Sequence, residues 1–264
     1  MSQSLRVDNQ IVAYASGGRP FDPAKPVLVL LHGAGMDHTV WALQTRFFAH
    51  HGHSVLALDL PAHGGSGGTA FETIGAYAGW LERLFDAAGI EKAALVGHSL
   101  GALIALDFTA GHPSRLRTLT LLGAGAKMPV HPDMLASAQA GTDEVLDCMT
   151  SWGHARRHHF GGHRAPGLWM LGSTRHLVAR ARPGVIHAGL KACHTYADAL
   201  AAAAKVTCPT TLILGAEDMM TPAKSGLELG RAIAGARIEI IPGCGHMMMQ
   251  EAPDQTLDRM RGNA

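Results

Sequence analysis

The chain has 264 residues, of which 47% are hydrophobic, and its formal net charge is +1. This length and composition suit one α/β domain with a large core and exclude an intrinsically disordered chain. The basic residues are scattered, which argues against a nucleic-acid partner, and no run of 18 apolar residues predicts a membrane span. The N-terminus has no signal-peptide pattern, so we expect a soluble cytoplasmic protein with reduced cysteines, and the oligomeric state stays open.

Short apolar runs alternate with longer helical patterns along the chain. This alternation predicts an α/β fold with a doubly wound, mostly parallel sheet. The predicted strands are Leu5 to Ala13, Val27 to Leu31, Ser54 to Leu58, Ala93 to Val96, Leu116 to Leu122, Thr210 to Leu214 and Arg237 to Ile241. Helices are predicted at about 39–51, 70–89, 99–112, 222–234 and 251–261.

The stretch 125–205 interrupts this rhythm, because it has helical fragments but no convincing strand. A structureless loop of that length is improbable, so the stretch predicts a helical cap inserted into a core made of 1–124 and 206–264. Its last helix is predicted from His187 to Ala204. We expect the cap to be mobile and to gate a pocket, with Trp169 and Tyr196 controlling substrate size.

Ser99 lies between Gly97 and Gly101, directly after a predicted strand and directly before a predicted helix. A chain that turns at once from strand to helix forces its apex into a cramped conformation, so the positions two before and two after must lack bulk. The pattern therefore predicts a nucleophile elbow with Ser99 at its apex. The helix N-terminus beneath it would favour developing negative charge.

Ser66 provides a second match to the same Gly-x-Ser-x-Gly pattern, within Gly64 to Gly68. Pro61, Ala62 and His63 separate it from its preceding strand, and no helix begins at the next residue. This context favours a flexible glycine-rich loop over a nucleophile.

A serine nucleophile needs a base, usually a histidine that a carboxylate orients. Asp218 follows the strand ending at Leu214, and His246 follows the strand ending at Ile241. Carboxyl ends of parallel strands share one edge of a sheet, so Ser99, Asp218 and His246 are predicted to meet there. Glu217 competes with Asp218 as the acid, but it would point to the opposite side of an extended segment, which favours Asp218.

Several motifs together resemble the α/β-hydrolase fold superfamily, in its cap-bearing branch of esterase-like and lipase-like serine hydrolases. They are Gly97-His98-Ser99-Leu100-Gly101, Leu31-His32-Gly33-Ala34-Gly35, Asp59 to Ser66, Gly215-x-x-Asp218-x-x-Thr221-Pro222 and Pro242-Gly243-x-Gly245-His246. The resemblance implies an α/β fold with an inserted helical cap and the triad order nucleophile, acid, base. It also implies an oxyanion hole formed by the backbone N–H groups of Ala34 and Leu100, with no cofactor and no metal required.

The resemblance implies hydrolysis of a small, largely apolar carboxylic ester or lactone through an acyl-enzyme on Ser99. One alternative is a C–C bond hydrolase of the meta-cleavage-product type. The residues His98 and Met247 disfavour it, because those enzymes usually carry Asn and Trp at these places. A second alternative is a non-catalytic ligand-binding homologue, which would not need an intact triad.

Other candidate residues have a simpler interpretation. His32, His63 and His98 lie near the site and are expected to hold backbone groups by hydrogen bonds. His154, His158, His159 and His163 have spacings that could suit a metal, but the glycines before His163 and the missing acidic or thiol ligand favour a polar face. The methionines beside the site loops are interpreted as core filling, with an apolar pocket lining as the alternative. These are Met36, Met219, Met220, Met247, Met248 and Met249.

Overall fold

A computed structural model describes residues 3–161 and 169–263. Its strands are β1 Gln3–Val7, β2 Gln10–Ala15, β3 Val27–Leu31, β4 Ser54–Leu58, β5 Ala93–His98, β6 Leu116–Leu122, β7 Thr210–Gly215 and β8 Arg237–Ile241. They form one sheet in the order β1-β2-β4-β3-β5-β6-β7-β8. The two edge pairings that involve β2 are antiparallel and all the others are parallel, which confirms the predicted doubly wound, mostly parallel sheet.

Eleven α-helices lie in the described part of the chain. They are α1 Ala42–Ala49, α2 Ile74–Ala87, α3 Leu100–Gly111, α4 Pro132–Ala140, α5 Glu144–Gly153, α6 Met170–Ala179, α7 Val185–Thr195, α8 Ala199–Ala203, α9 Ala223–Ala232, α10 Met248–Glu251 and α11 Pro253–Arg261. Helix α2 packs on α3, while α1 and α11 pack together, α1 against β4 and α11 against β7. No helix in this described part combines the length and apolar character needed to cross a bilayer.

The central strands β3, β4, β5 and β7 are buried along their whole length. This explains their continuous apolar sequences, because helices cover both faces of a parallel sheet. The carboxyl ends of these strands meet at one edge of the sheet. Ser99, Asp218 and His246 follow β5, β7 and β8 at that edge.

The single predicted strand Leu5 to Ala13 is wrong, because β1 and β2 form a hairpin. Its two turn residues, Asp8 and Asn9, have φ values of 50° and 62°. Asp and Asn tolerate this left-handed region better than most residues, but the pair lacks the glycine that marks the commonest hairpin turns. The pattern therefore hides the turn.

Two predicted helices are interrupted. The predicted helix from His187 to Ala204 is two helices, α7 and α8, because the backbone becomes extended at Tyr196 and its hydroxyl donates to Asp107 Oδ1 at 2.7 Å. The last predicted helix is also split, since Ala252 precedes Pro253 and adopts a non-helical conformation. A proline disfavours helical geometry at the residue before it.

Candidate active site

Ser99 occupies the turn between β5 and α3. Its backbone has φ 54° and ψ −116°, a conformation rare for a residue with a side chain. The Ser99 N–H donates to the carbonyl of Leu122 at 2.9 Å, and its own carbonyl accepts from Ala102 and Leu103 in the first turn of α3. These bonds hold a strained backbone that presents the Ser99 side chain at the end of the strand.

Gly97 and Gly101 permit this turn because neither position has room for a side chain. A Cβ at Gly97 would overlap the carbonyl oxygen of Gly101, and a Cβ at Gly101 would overlap the carbonyl of Leu31. The predicted requirement for two small residues around Ser99 is therefore confirmed.

Asp218 and His246 come together beside this turn. His246 Nδ1 lies 2.7 Å from Asp218 Oδ2, and both side chains are almost fully buried. Asp218 Oδ1 accepts the N–H groups of Met220 and Thr221 at 2.9 and 2.7 Å, which fixes the carboxylate. Because a carboxylate can only accept, the imidazole proton lies on Nδ1 and Nε2 is left as the acceptor. Glu217 is exposed and does not contact His246.

The backbone of His246 is also held on both sides. Its N–H donates to the carbonyl of Gly153, and its carbonyl accepts from His98 Nε2, both at 3.0 Å. The rings of His98 and His246 pack at 4.6 Å between centroids. On another side, Gly123 leaves the space that the ring fills, because a Cβ there would lie 2.9 Å from His246 Cε1. Nothing in the sequence pattern singled out Gly123.

Ala34 and Leu100 supply two backbone N–H groups near Ser99. Leu100 is the first residue of α3, so its N–H has no partner within the helix, and Ala34 lines the same cavity as Ser99. Among the hydrogen bonds of the described residues, neither N–H has a protein acceptor. Of the two residues, Ala34 lines the cavity, whereas Leu100 is buried beside Ser99 at the start of α3.

A cavity of about 390 Å³ opens above Ser99. Nine of its fourteen lining residues belong to 125–205, and none of the fourteen is Lys, Arg, Asp or Glu. The lining residues are Ala34, Ser99, Met128, Pro129, Val130, His131, Pro132, Met134, Trp152, Leu190, Cys193, Met219, Met220 and Thr221. Burial raises the pKa of the Cys193 thiol to about 12, so Cys193 is a neutral apolar group in this wall.

The methionines divide between the two interpretations given for them. Met219 and Met220 line the cavity, whereas the others are buried in the core. Trp169 and Tyr196, the aromatics predicted to control substrate size, do not line this cavity; the aromatic residue that does is Trp152.

The nearby histidines hold backbone groups, as predicted. His32 Nδ1 lies 2.8 Å from the Gly33 carbonyl while its Nε2 accepts from the Leu60 N–H, and His63 Nδ1 lies 2.9 Å from the Pro61 carbonyl. Burial lowers the pKa of His63 to about 3 and lowers the pKa of His32 and His98 as well. These rings are therefore neutral near pH 7 and act as scaffolding.

Ser66 lies in a loop, as predicted, and its side chain is held by two hydrogen bonds. The Ser66 hydroxyl donates to the carbonyl of Asp59 at 2.7 Å and accepts from the Ala13 N–H at 2.9 Å. The side chain is fully buried and joins its loop to β2 and to the end of β4, and it is not among the residues that line the cavity. Sequence reasoning recognised the missing helix but could not see these long-range partners.

The histidines of the predicted polar face are engaged with the protein. His154 Nδ1 contacts the Thr150 carbonyl, His158 Nδ1 contacts Glu251, and His159 Nε2 contacts the carbonyl of Ser151. Two of them are buried, so only part of the predicted solvated face is found. His163 lies outside the described residues.

Within the described ranges, one cluster has donor atoms close enough to hold a metal ion: Asp37, His38 and Asp59. Asp59 Oδ1 already accepts from the N–H and the Nδ1 of His38, and Oδ2 accepts from the Gly65 N–H. The hydrogen bond to Asp59 raises the pKa of His38. This cluster is thus accounted for as a set of loop contacts.

Glu251 is a site residue that sequence reasoning missed. Its buried carboxylate accepts from the N–H groups of Gly245 and Met247, on either side of His246. The sequence presents it only as the first residue of a predicted helix, where acidic residues are common. No local signal distinguishes it from an ordinary helix start.

Comparison with known proteins finds hydrolases among the chains similar to this one. A pimeloyl-[acyl-carrier protein] methyl ester esterase of Chromobacterium violaceum is 30% identical over 84% of this chain and 87% of its own length. An (E)-2-((N-methylformamido)methylene)succinate hydrolase of Acinetobacter baylyi is 23% identical over 99% of this chain and 97% of its own. Among solved structures, the enol-lactonase from Burkholderia xenovorans LB400 superposes with a TM-score of 0.87 at 23% identity, covering 98% of each chain.

These similar proteins are described as an esterase, a succinate-derivative hydrolase and an enol-lactonase. The family model described as "Alpha/beta hydrolase family" matches residues 28–259, which include the turn at Ser99 and the pair formed by Asp218 and His246. The chain belongs to the alpha/beta hydrolase family.

Proposed function

We propose that this protein is a serine hydrolase that cleaves carboxylic esters or lactones of small, largely apolar substrates through an acyl-enzyme on Ser99. The observation that carries the proposal is the strained backbone of Ser99, with φ 54°, at the wall of an apolar cavity that it shares with Ala34. Proteins keep such strain at functional sites, where it presents a reactive group.

In the proposed reaction, Ser99 Oγ attacks the substrate carbonyl carbon and His246 Nε2 accepts the hydroxyl proton. Asp218 keeps the other imidazole proton on Nδ1 and stabilises the imidazolium that forms. The N–H groups of Ala34 and Leu100 would bind the oxyanion, each contributing on the order of 3 kcal/mol to lowering the barrier. His246 then protonates the leaving group and activates the water that releases the acyl group, so no cofactor is required.

The character of the cavity supports an uncharged substrate. A carboxylate or ammonium group buried in a wall of methionine, proline and leucine side chains would lose its hydration with no charged partner among the lining residues. The methyl ester esterase named above supports an ester as the scissile group. C–C bond hydrolysis stays the alternative.

The helical segment 125–205 is proposed to be the cap that determines substrate size. It contributes nine of the fourteen cavity-lining residues, including Trp152 at the end of α5 and Leu190 in α7. A segment that forms most of a cavity wall contributes most of the contacts with the part of the substrate away from the reacting bond.

A panel of p-nitrophenyl esters of increasing acyl length, together with small lactones, tests the function. Wild type and Ser66→Ala should both turn over the shorter esters, whereas Ser99→Ala should lose activity by several orders of magnitude. A fluorophosphonate probe followed by peptide mass spectrometry should label Ser99. Turnover by Ser99→Ala equal to wild type, or hydrolysis of vinylogous diketones in preference to every ester, would refute the ester proposal.

A further inference from the structure

One buried carboxylate joins the His246 loop to the helical segment 125–205. The Glu251 side chain is fully inaccessible to solvent. Its Oε1 accepts from the N–H groups of Gly245 and Met247 at 3.1 and 3.2 Å, and its Oε2 accepts from the Ala155 N–H and from His158 Nδ1, both at 2.8 Å. The Gly245 N–H is shared between the two oxygens, since it also lies 3.1 Å from Oε2. Four donors from two parts of the chain therefore converge on two oxygens.

The two donors on the loop side flank His246. The N–H groups of His246 and Met247 both donate to the carbonyl of Gly153 at 3.0 Å, so the three successive amides from Gly245 to Met247 are held by Glu251 and by the last residue of α5. The packing here is tight, since a Cβ on Gly245 would lie 2.6 Å from the Ala155 nitrogen. A shift of the carboxylate would therefore move the loop that carries the imidazole.

We infer that Glu251 is a positioning residue for His246, which it holds through the amides on either side. The inference rests on the proposed function, because it gives His246 the role of base. Glu251 does not reach the cavity, and its effect on the reaction is carried by the loop backbone. Its second oxygen fixes the cap residues Ala155 and His158 against the same loop, so this end of the cap is anchored to the base.

The chemistry of the four donors requires a carboxylate. A glutamine has nearly the same shape, but its NH₂ group can only donate, so one pair of donors would face another donor. His158 could adapt by accepting on Nδ1, whereas the backbone N–H groups cannot. Glu251→Gln thus disrupts the junction electrostatically with little loss of packing.

The test compares Glu251→Gln with Tyr196→Phe on p-nitrophenyl acetate and p-nitrophenyl octanoate. Tyr196→Phe is a matched control, because it removes another hydrogen bond between the helical segment and the core, to Asp107, away from the His246 loop. Glu251→Gln should lower kcat roughly ten- to a hundredfold on both esters with little change in KM, as expected when a catalytic group is displaced. Tyr196→Phe should keep the wild-type kcat on the short ester.

A spectroscopic readout separates positioning from general loss of structure. The proton between His246 Nδ1 and Asp218 should give a low-field proton NMR resonance that shifts or disappears in Glu251→Gln and is unchanged in Tyr196→Phe. Glu251→Asp keeps both acceptor oxygens on a shorter side chain and should give a smaller loss of kcat in the same direction. It is measured in parallel, so that a poorly folding Glu251→Gln still leaves a test.

Three results would overturn the inference: a wild-type kcat and resonance in both Glu251 variants, a loss confined to the octanoate ester, or an equal loss of kcat in Tyr196→Phe. A loss confined to the long ester would mean that Glu251 shapes the cavity only. Retained turnover in Ser99→Ala would instead refute the proposed function.

Discussion

Replacing Gly123 by alanine should displace the imidazole of His246 without removing any ionisable group. The added Cβ would lie 2.9 Å from His246 Cε1 and 3.0 Å from Nδ1, where ordinary contacts begin at 3.4 Å. The ring must therefore shift by roughly half an ångström. A misplacement of about 1 Å can cost about 100-fold in rate, so we expect kcat to fall on the order of tenfold.

Backbone strain accompanies this substitution and needs its own control. Gly123 has φ 57°, and a left-handed conformation costs alanine about 1 kcal/mol or somewhat more. Gly235 has φ 70° in a turn where nothing lies within 4 Å of an added Cβ. Gly235→Ala therefore imposes the same kind of strain with no steric contact at the site.

The assay measures kcat on a short p-nitrophenyl ester together with the thermal midpoint of each variant. Both variants should lose roughly 2–4 °C of thermal stability, because about 1 kcal/mol changes the midpoint of a domain of this size by that amount. Only Gly123→Ala should lose kcat. Equal kcat values in the two variants would refute the idea that Gly123 makes space for a catalytic ring.

Three further predictions concern the acid, the cavity and pH. Asp218→Asn should lower kcat on the order of 10⁴-fold, because the imidazole loses its correct tautomer. Glu217→Gln should leave kcat nearly unchanged, and a larger loss of kcat in Glu217→Gln than in Asp218→Asn would mean that Glu217 is the acid. Trp152→Ala should shift the preferred acyl length upward, while Trp169→Ala, outside the cavity, should not; unchanged preference in Trp152→Ala would remove it from the substrate site. Burial lowers the pKa of His63 to about 3, so between about pH 6.5 and pH 3 the unfolded chain binds a proton at this residue that the folded chain does not. As the pH drops below about 6.5, His63 should therefore lower the free energy of unfolding by about 1.4 kcal/mol per pH unit. Urea titrations at pH 7, 6 and 5 should show a shallower fall in His63→Gln, and an equal slope would contradict the assignment.

The sheet was predicted well from the sequence, because each central strand is a short continuous apolar run that can be recognised by itself. Strands such as β3 and β7 are buried on both faces, so their apolar runs need no knowledge of their neighbours. The hairpin at Asp8 and Asn9 was missed, because its two turn residues adopt left-handed backbone conformations without the glycine that usually marks such a turn. The division of α7 from α8 was missed because it depends on a hydrogen bond from Tyr196 to a residue 89 positions away.

Candidate site residues were predictable where topology alone brings them together. Ser99, Asp218 and His246 each follow a parallel strand, and the ends of those strands share one edge. The choice of Asp218 over Glu217 followed from the opposite sides that neighbouring residues of an extended segment face and from the resemblance to the family loop, and the structure pairs Asp218 with His246. The cavity wall was less predictable, because the aromatic that lines it depends on how the helices of 125–205 pack.

Gly123 and Glu251 show why part of the support for His246 escapes sequence reasoning. Gly123 matters because it has no Cβ. The ring of His246, 123 residues later in the chain, fills the space that a Cβ would occupy, and only the structure reveals this contact. Glu251 matters because four donors reach it, and two of them come from a segment almost 100 residues earlier in the chain. A reactive residue can be inferred from its type and its strand, whereas the residues that orient it are defined by contacts alone. Variants of these two positions therefore test the geometry of the site more directly than removal of Ser99. They keep Ser99, Asp218 and His246 and change only the position of the His246 ring.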